Sequence, residues 1–436
     1  MRRHWLAGLG VLVLVLALGA AAFFFWPARL DDVSEARARL PSGNDSIHRG
    51  RYLAQAADCA ACHTLASGKA YAGGLPFKLP FGTIYATNIT PDRETGIGAW
   101  TDAEFVRAVR HGVGRGGEDL YPAFPYASYA LMSAEDALAI KDYLFSLEPV
   151  HAAIPAADLG FPYNQRYLMR AWKLLFVPRE PLQPDPARDA DWNRGAYLVE
   201  ALGHCGECHT PRNRLYGLDQ GHKFGGAITA GWKAYNITSD QAAGIGAWSD
   251  QELASYLASG YAPGRGAASG SMAEAVEYSL RYLTGQDIAA MVAYLRTVPP
   301  QSGGAEAATS AEPPAVRAPS AFAPPPAEVQ TASLGLSVFQ SACASCHAFN
   351  GEGLQHPHAS LAGAQSVNDP EGTNLLQVLI HGSQMTTDEG DVFMPAFGSA
   401  YSDIELAAVA NYAIGHFGGK RSTITPASVA AARTLD

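Results

Sequence analysis

The six cysteines of the chain fall into one spacing used three times: Cys59-Ala-Ala-Cys62-His63, Cys205-Gly-Glu-Cys208-His209 and Cys343-Ala-Ser-Cys346-His347. Two thiols three positions apart can each add to a vinyl group of one porphyrin, and the next residue then sets an imidazole under the iron. C-x-x-C-H is the attachment sequence of c-type haem. A bare C-x-x-C would also suit a redox dithiol or half of a zinc site. Here the histidine follows every time, and no cysteine is left over for a zinc tetrad or a disulfide. The pattern predicts three covalent haems c, with His63, His209 and His347 as proximal iron ligands.

The elements around the motifs must hold three porphyrins. The first cysteines lie 146 and 138 residues apart (positions 59, 205 and 343) in a chain of 436 residues, room for a thin helical shell and a linker each. A repeat extends beyond the cysteines. Arg49-Gly-Arg-Tyr52-Leu53 precedes the first motif and Arg194-Gly-Ala-Tyr197-Leu198 the second. Asn88-Ile-Thr90 and Asn236-Ile-Thr238 are each followed by Gly-Ile-Gly-Ala-Trp, ending at Trp100 and Trp248. Thr101 to Glu104 and Ser249 to Glu252 then read as capping boxes that start a helix. Each repeat closes on a helix with a tyrosine near its end: Tyr143, Tyr294 and Tyr412. The third repeat lacks the Asn-Ile-Thr segment, although Asn374 to Gly382 parallels Glu104 to Gly112. Helical signals dominate, and strands are scarce.

The N-terminus bears on compartment. An uncharged run from Trp5 to Pro27 follows Arg2 and Arg3. About 20 apolar residues suffice to cross a bilayer, and interfacial tryptophans belong at the two ends. Ala20-Ala21-Ala22 could offer a signal cleavage site, but three phenylalanines and a tryptophan follow it, which favours a retained anchor. The positive-inside rule keeps Arg2 and Arg3 cytoplasmic and exports the remainder. A net charge of -10 argues against nucleic acid as a partner. Residues 301–330, rich in Pro and Ala, read as an extended spacer. Residues 161–176 mix aromatic and basic side chains at near-helical spacing, suiting a bridge between the first two modules or a surface pressed on the bilayer or a partner.

With these marks, together with Leu120-Tyr-Pro-Ala-Phe-Pro-Tyr126, Ser271-Met-Ala-Glu274 and Met394-Pro-Ala-Phe397, the chain resembles the three-haem cytochrome c subunit of bacterial membrane-bound dehydrogenases, the type that accompanies alcohol, gluconate, fructose, sorbitol or aldehyde dehydrogenases. The similarity covers about residues 45 to 425. The apparently retained anchor departs from it, since such subunits often begin with a cleaved signal. The resemblance implies three tandem class I cytochrome c modules (45–150, 191–300 and 331–425), and with the residues' own reading of an N-terminal transmembrane anchor or signal (1–27) and a helical bridge (151–190) the expected chain is all-α. It further implies electron transfer from a catalytic dehydrogenase subunit, of flavin or molybdenum type, to ubiquinone or another respiratory acceptor, on the periplasmic side of the inner membrane.

A class I fold also implies a distal methionine shortly before the last helix. Met394 and Met272 stand in that place, with Met385 and Met291 as competitors better suited to core packing. In module one Phe124 occupies the position where many such subunits carry methionine, and Met132, just before the helix cap Ser133, is the candidate. A first iron left open would make a peroxidase of the chain. His111 is a further candidate ligand there, but its His-Gly pair recurs at 381–382, which favours a structural role. Other expectations are softer. Trp100 and Trp248 suit propionate hydrogen bonds or core packing. Pro211 could aim a carbonyl at the His209 ring. Asn88 and Asn236 match a glycosylation sequon by chance, and His356 and His358 form a polar loop. No catalytic triad, nucleotide loop or paired carboxylates stand out. The reading is an electron-transfer subunit, with a terminal-oxidase subunit or a peroxidase as alternatives.

Overall fold

A computed structural model describes residues 2–301 and 334–435; the spacer expected at 301–330 lies outside them apart from its first residue. The chain divides into two compact units, Met1–Ala54 with Cys62–Gln183, and Gln55–Ala61 with Pro184–Asp436.

In the first unit, α1 (Arg2–Phe25) carries apolar side chains exposed on every side, Leu12 and Leu16 among them. Its 24 residues span about 36 Å at 1.5 Å per residue. It is the one helix among the described residues long and apolar enough to cross a membrane. Beyond it, α2 (Asn44–Ala56) leads into the first motif, followed by α3 (Asp102–His111), α4 (Ala134–Phe145) and α5 (Met169–Phe176). The capping box predicted at Thr101 is formed with Glu104, and Gly112 ends α3 in the left-handed conformation. Residues 161–176, read as a possible bridge, fall in the first unit, where Arg166 lies over the Tyr121 ring and Trp172 packs edge-on against Tyr126.

The second unit repeats the scheme twice. Its helices are α6 (Ala190–Tyr197), α7 (Asp250–Ser259), α8 (Gly285–Leu295), α9 (Leu334–Val338), α10 (Thr373–His381), α11 (Asp403–Phe417) and α12 (Pro426–Ala432). The Ser249–Glu252 capping box is present, as is an unpredicted one at Ser402–Glu405. Lys233, buried, donates to Asp369 at 3.1 Å and to Glu371 at 2.9 Å, and Asn374 exchanges two hydrogen bonds with the Lys233 backbone. The second and third cysteine motifs therefore share one packed body.

One close approach recurs three times. A Cβ on Gly50 would lie 1.8 Å from the Ala139 carbonyl oxygen, one on Gly195 1.9 Å from that of Ala290, and one on Gly335 2.2 Å from that of Ala408. In each case the next neighbours include the Cβ of the tyrosine four residues on, Tyr143, Tyr294 or Tyr412. The helix leading into each motif thus crosses the closing helix at backbone contact, which only glycine permits. The Arg-Gly repeat and the late tyrosines are the two sides of this crossing.

The all-α expectation needs one correction: four small antiparallel sheets occur among the described residues. Pro76–Leu79 pairs with Gly82–Tyr85, Ala227–Thr229 with Trp232–Ala234, and Ser383–Thr387 with Gly390–Met394. The cause is turn chemistry. At Ala230 and Gly231 φ is +48° and +76°, the two-residue turn whose twist matches a hairpin.

Candidate haem sites

Each motif forms a single helical turn: Cys59–His63, Gly206–His209 and Ala344–His347. A π-turn leads into the second and third, Leu198–Leu202 and Phe339–Cys343; such turns inside helices often mark functional sites. None of the six cysteines is in a disulfide. Burial pushes the Cys205 thiol up to about 12 and that of Cys343 to about 11, and raises Cys208 as well. A redox dithiol requires the opposite shift. Among the described residues no three His, Cys, Asp or Glu side chains converge on a metal cage.

The histidines are held alike. His63 Nδ1 lies 2.6 Å from the Thr87 carbonyl oxygen, His209 Nδ1 2.6 Å from that of Tyr235, and His347 Nδ1 2.6 Å from that of Ala359. A carbonyl only accepts, so Nδ1 carries the proton and the Nε2 lone pair is left for iron. Burial lowers the pKa of all three rings against the opposing carbonyl bond, keeping them neutral. Three half-buried imidazoles of one fixed tautomer, each beside a thiol pair, fit three haems c.

Thr87 and Tyr235 are the residues just before the two Asn-Ile-Thr segments. The Asn88 side chain accepts from the Thr90 N–H and hydroxyl and donates to the Val150 carbonyl at 2.7 Å. Asn236 accepts the same pair of bonds from Thr238 and donates to the Gln301 carbonyl at 2.8 Å. These buried clamps fix the carbonyl that orients the histidine, and both asparagines are too buried to serve as glycosylation sites. Sequence reading saw the repeat but missed this role. It assigned the carbonyl to Pro211, whereas the Pro211 carbonyl accepts the Asp219 N–H. In the third site the His-Pro-His loop does the work, with Ala359 directly after His358.

The methionines separate by exposure. Met272 and Met394 are half-buried. Met291 and Met385 are buried in packing, Met385 over Gly260. Met132 is only 1 % exposed, enclosed by protein. Met169, passed over in the sequence because it lies in the 161–176 segment, is half-buried at the start of α5, the helix that covers Tyr121 to Tyr126. His111 Nε2 lies 2.8 Å from Asp31, a structural pairing. Trp248 is buried beneath the Arg265 guanidinium, and Trp100 is half-buried.

Comparison with known proteins agrees with this geometry. The family model for cytochrome c matches residues 47–148, and that for cytochrome c oxidase, cbb3-type, subunit III matches residues 330–412. The chain is 38 % identical to the fructose dehydrogenase cytochrome subunit of Gluconobacter japonicus over 88 % of its length and 82 % of the relative's. It is 36 % identical to the gluconate 2-dehydrogenase cytochrome c subunit of Pantoea cypripedii over 97 % of its length and 94 % of that protein. With the cytochrome c subunit of the quinone alcohol dehydrogenase of Gluconacetobacter polyoxogenes it shares 35 % over 90 % and 86 %. The chain belongs to the family of cytochrome c subunits of fructose, gluconate and alcohol dehydrogenases.

Proposed function

We propose that this chain is a three-haem electron relay, anchored in the inner membrane by α1 and carrying its haems on the periplasmic side. The observation that supports it best is the threefold recurrence of one site: a glycine-mediated helix crossing, a C-x-x-C-H turn, and a histidine fixed through Nδ1 by a backbone carbonyl. Each haem, when bound, supplies a one-electron Fe(III)/Fe(II) couple. The chain's own residues attach it through Cys59 and Cys62, Cys205 and Cys208, or Cys343 and Cys346. They orient the imidazoles and cap the distal faces. Met272 and Met394 would supply the sixth ligands of the second and third irons. For the first iron, partial exposure favours Met169 over the enclosed Met132. A methionine on each iron would leave no open site for peroxide.

Electrons arrive from a separate catalytic dehydrogenase subunit, carrying flavin or a molybdenum cofactor, and leave to ubiquinone or another respiratory acceptor. The oxidase-type match covers only the third module, whereas dehydrogenase subunits match nearly the whole chain. Affinity purification from native membranes tests the reading. A dehydrogenase subunit should co-purify in fixed proportion; a copper/haem oxidase core in its place would overturn the assignment.

A further inference from the structure

Helix α5 is inside out for a water-facing helix. Arg170 and Lys173 point inward, where Arg170 Nε reaches Asp119 at 3.3 Å and Lys173 Nζ reaches it at 2.5 Å. Asp119 is 4 % exposed, so this cluster is sealed from solvent. Lys173 also donates to the His111 and Gly112 carbonyls that end α3. The outer face holds Leu174 and Leu175, 57 % and 68 % exposed, with Leu168 beside them. In water a helix gains by the reverse arrangement, apolar stripe to the core and charge to solvent.

The same helix is fastened to the end of the hydrophobic span. Arg170 donates to the carbonyls of Phe23 and Trp26, satisfying groups left open where α1 stops. Tyr167, one turn upstream, packs against Phe24 and Phe25 with ring centroids 5.8 Å and 5.3 Å away. All of this lies within one compact unit. A helix tied to the last turn of a membrane span, with Phe25 and Trp26 exposed at the end of that span and leucines facing out on the helix, suits the depth of the lipid headgroups.

We propose that α5 lies on the outer leaflet of the bilayer that α1 crosses, with Leu174 and Leu175 in the acyl boundary, so that the first haem module is held at the membrane surface. This rests on the anchored reading of α1 and specifies which other surface touches lipid. The occupant of the leucine face is lipid and not the catalytic subunit, because Arg170 and Tyr167 tie this segment to the end of the span, where lipid begins.

The test uses the full-length holoprotein, whose native cysteines are consumed by haem. Single cysteines at Leu175→Cys and Val15→Cys carry an environment-sensitive fluorophore, in phosphatidylcholine/phosphatidylglycerol vesicles without brominated lipid, with lipid brominated near the headgroup, or with lipid brominated at mid-chain. A label ~5–10 Å into the interface should lose emission when the headgroup-brominated lipid is present. Quenching at 175 by the headgroup-brominated lipid and at 15 by the mid-chain-brominated lipid is the expected result. Quenching at 15 alone would overturn the proposal and assign the leucine face to a protein partner. Quenching at neither position 15 nor 175 would overturn the anchoring of α1 itself, and the proposal with it.

Discussion

Replacing Asn236 by alanine isolates the device that orients the second histidine. The side chain is buried and makes three hydrogen bonds: from the Thr238 N–H at 2.8 Å, from the Thr238 hydroxyl at 2.6 Å, and to the Gln301 carbonyl at 2.8 Å. At about 1 kcal/mol net for each, the loss of stability should be about 3 kcal/mol. The larger interest is the neighbouring residue. Tyr235 supplies the carbonyl that accepts from His209 Nδ1. That bond makes the imidazole a better electron donor to iron and so favours Fe(III). If loosening it removes about 1 kcal/mol of preference for Fe(III), the midpoint potential of one haem rises by about 40 mV, from 59 mV per tenfold change for a one-electron couple. A spectroelectrochemical titration of the holoprotein reads this directly, as one component of the titration moving upward while the others stay. Asn88→Ala should move a different component by a similar amount. The third haem, whose carbonyl comes from Ala359, should respond to neither change. A destabilised Asn236→Ala protein with all three potentials unmoved would refute the link between the Asn-Ile-Thr clamp and the histidine.

Three further outcomes follow from the packing. Met169→Leu should convert one haem to a high-spin, carbon-monoxide-binding form, whereas Met132→Leu should cost under about 1.5 kcal/mol and leave the optical and paramagnetic resonance spectra unchanged; the reverse pattern would make Met132 the ligand. Lys233→Met leaves Asp369, 1 % exposed, without its buried cation and should cost about 3–5 kcal/mol in denaturant unfolding. The double variant Lys233→Met/Asp369→Leu should recover most of that loss. Gly195→Ala, favourable by about 1 kcal/mol in an isolated helix, should instead destabilise the second module, because the new Cβ would meet the Ala290 carbonyl oxygen at 1.9 Å. A neutral result in thermal unfolding would contradict the crossing.

Much of the site was legible because its chemistry is local. A C-x-x-C-H pentapeptide contains both thioether donors and the proximal ligand, so spacing alone names nine residues. Thr101-Glu104 and Ser249-Glu252 were readable as caps for the same reason: both partners sit within one turn. What escaped the sequence involves distant partners. The Thr87 carbonyl meets His63 across 24 residues, and no property of Thr87 itself marks it. Gly50 and Tyr143 were both visible as repeated residues, but their meeting at a helix crossing is a tertiary fact. Met169 lies beyond the bounds expected for module one (45–150), although its helix packs on that module. The two-residue turn at Ala230-Gly231 was overlooked because alanine is an unusual occupant of positive φ.

The central claim is that three haems are attached through the three C-x-x-C-H motifs. Intact-mass measurement of the denatured chain, purified from a host with cytochrome c maturation, tests it most directly. The expected result is the mass of the polypeptide plus three haems, falling by one haem in each of Cys59→Ala/Cys62→Ala, Cys205→Ala/Cys208→Ala and Cys343→Ala/Cys346→Ala. Fewer than three haems on the parent chain, or a cysteine pair whose loss leaves the haem count unchanged, would contradict it.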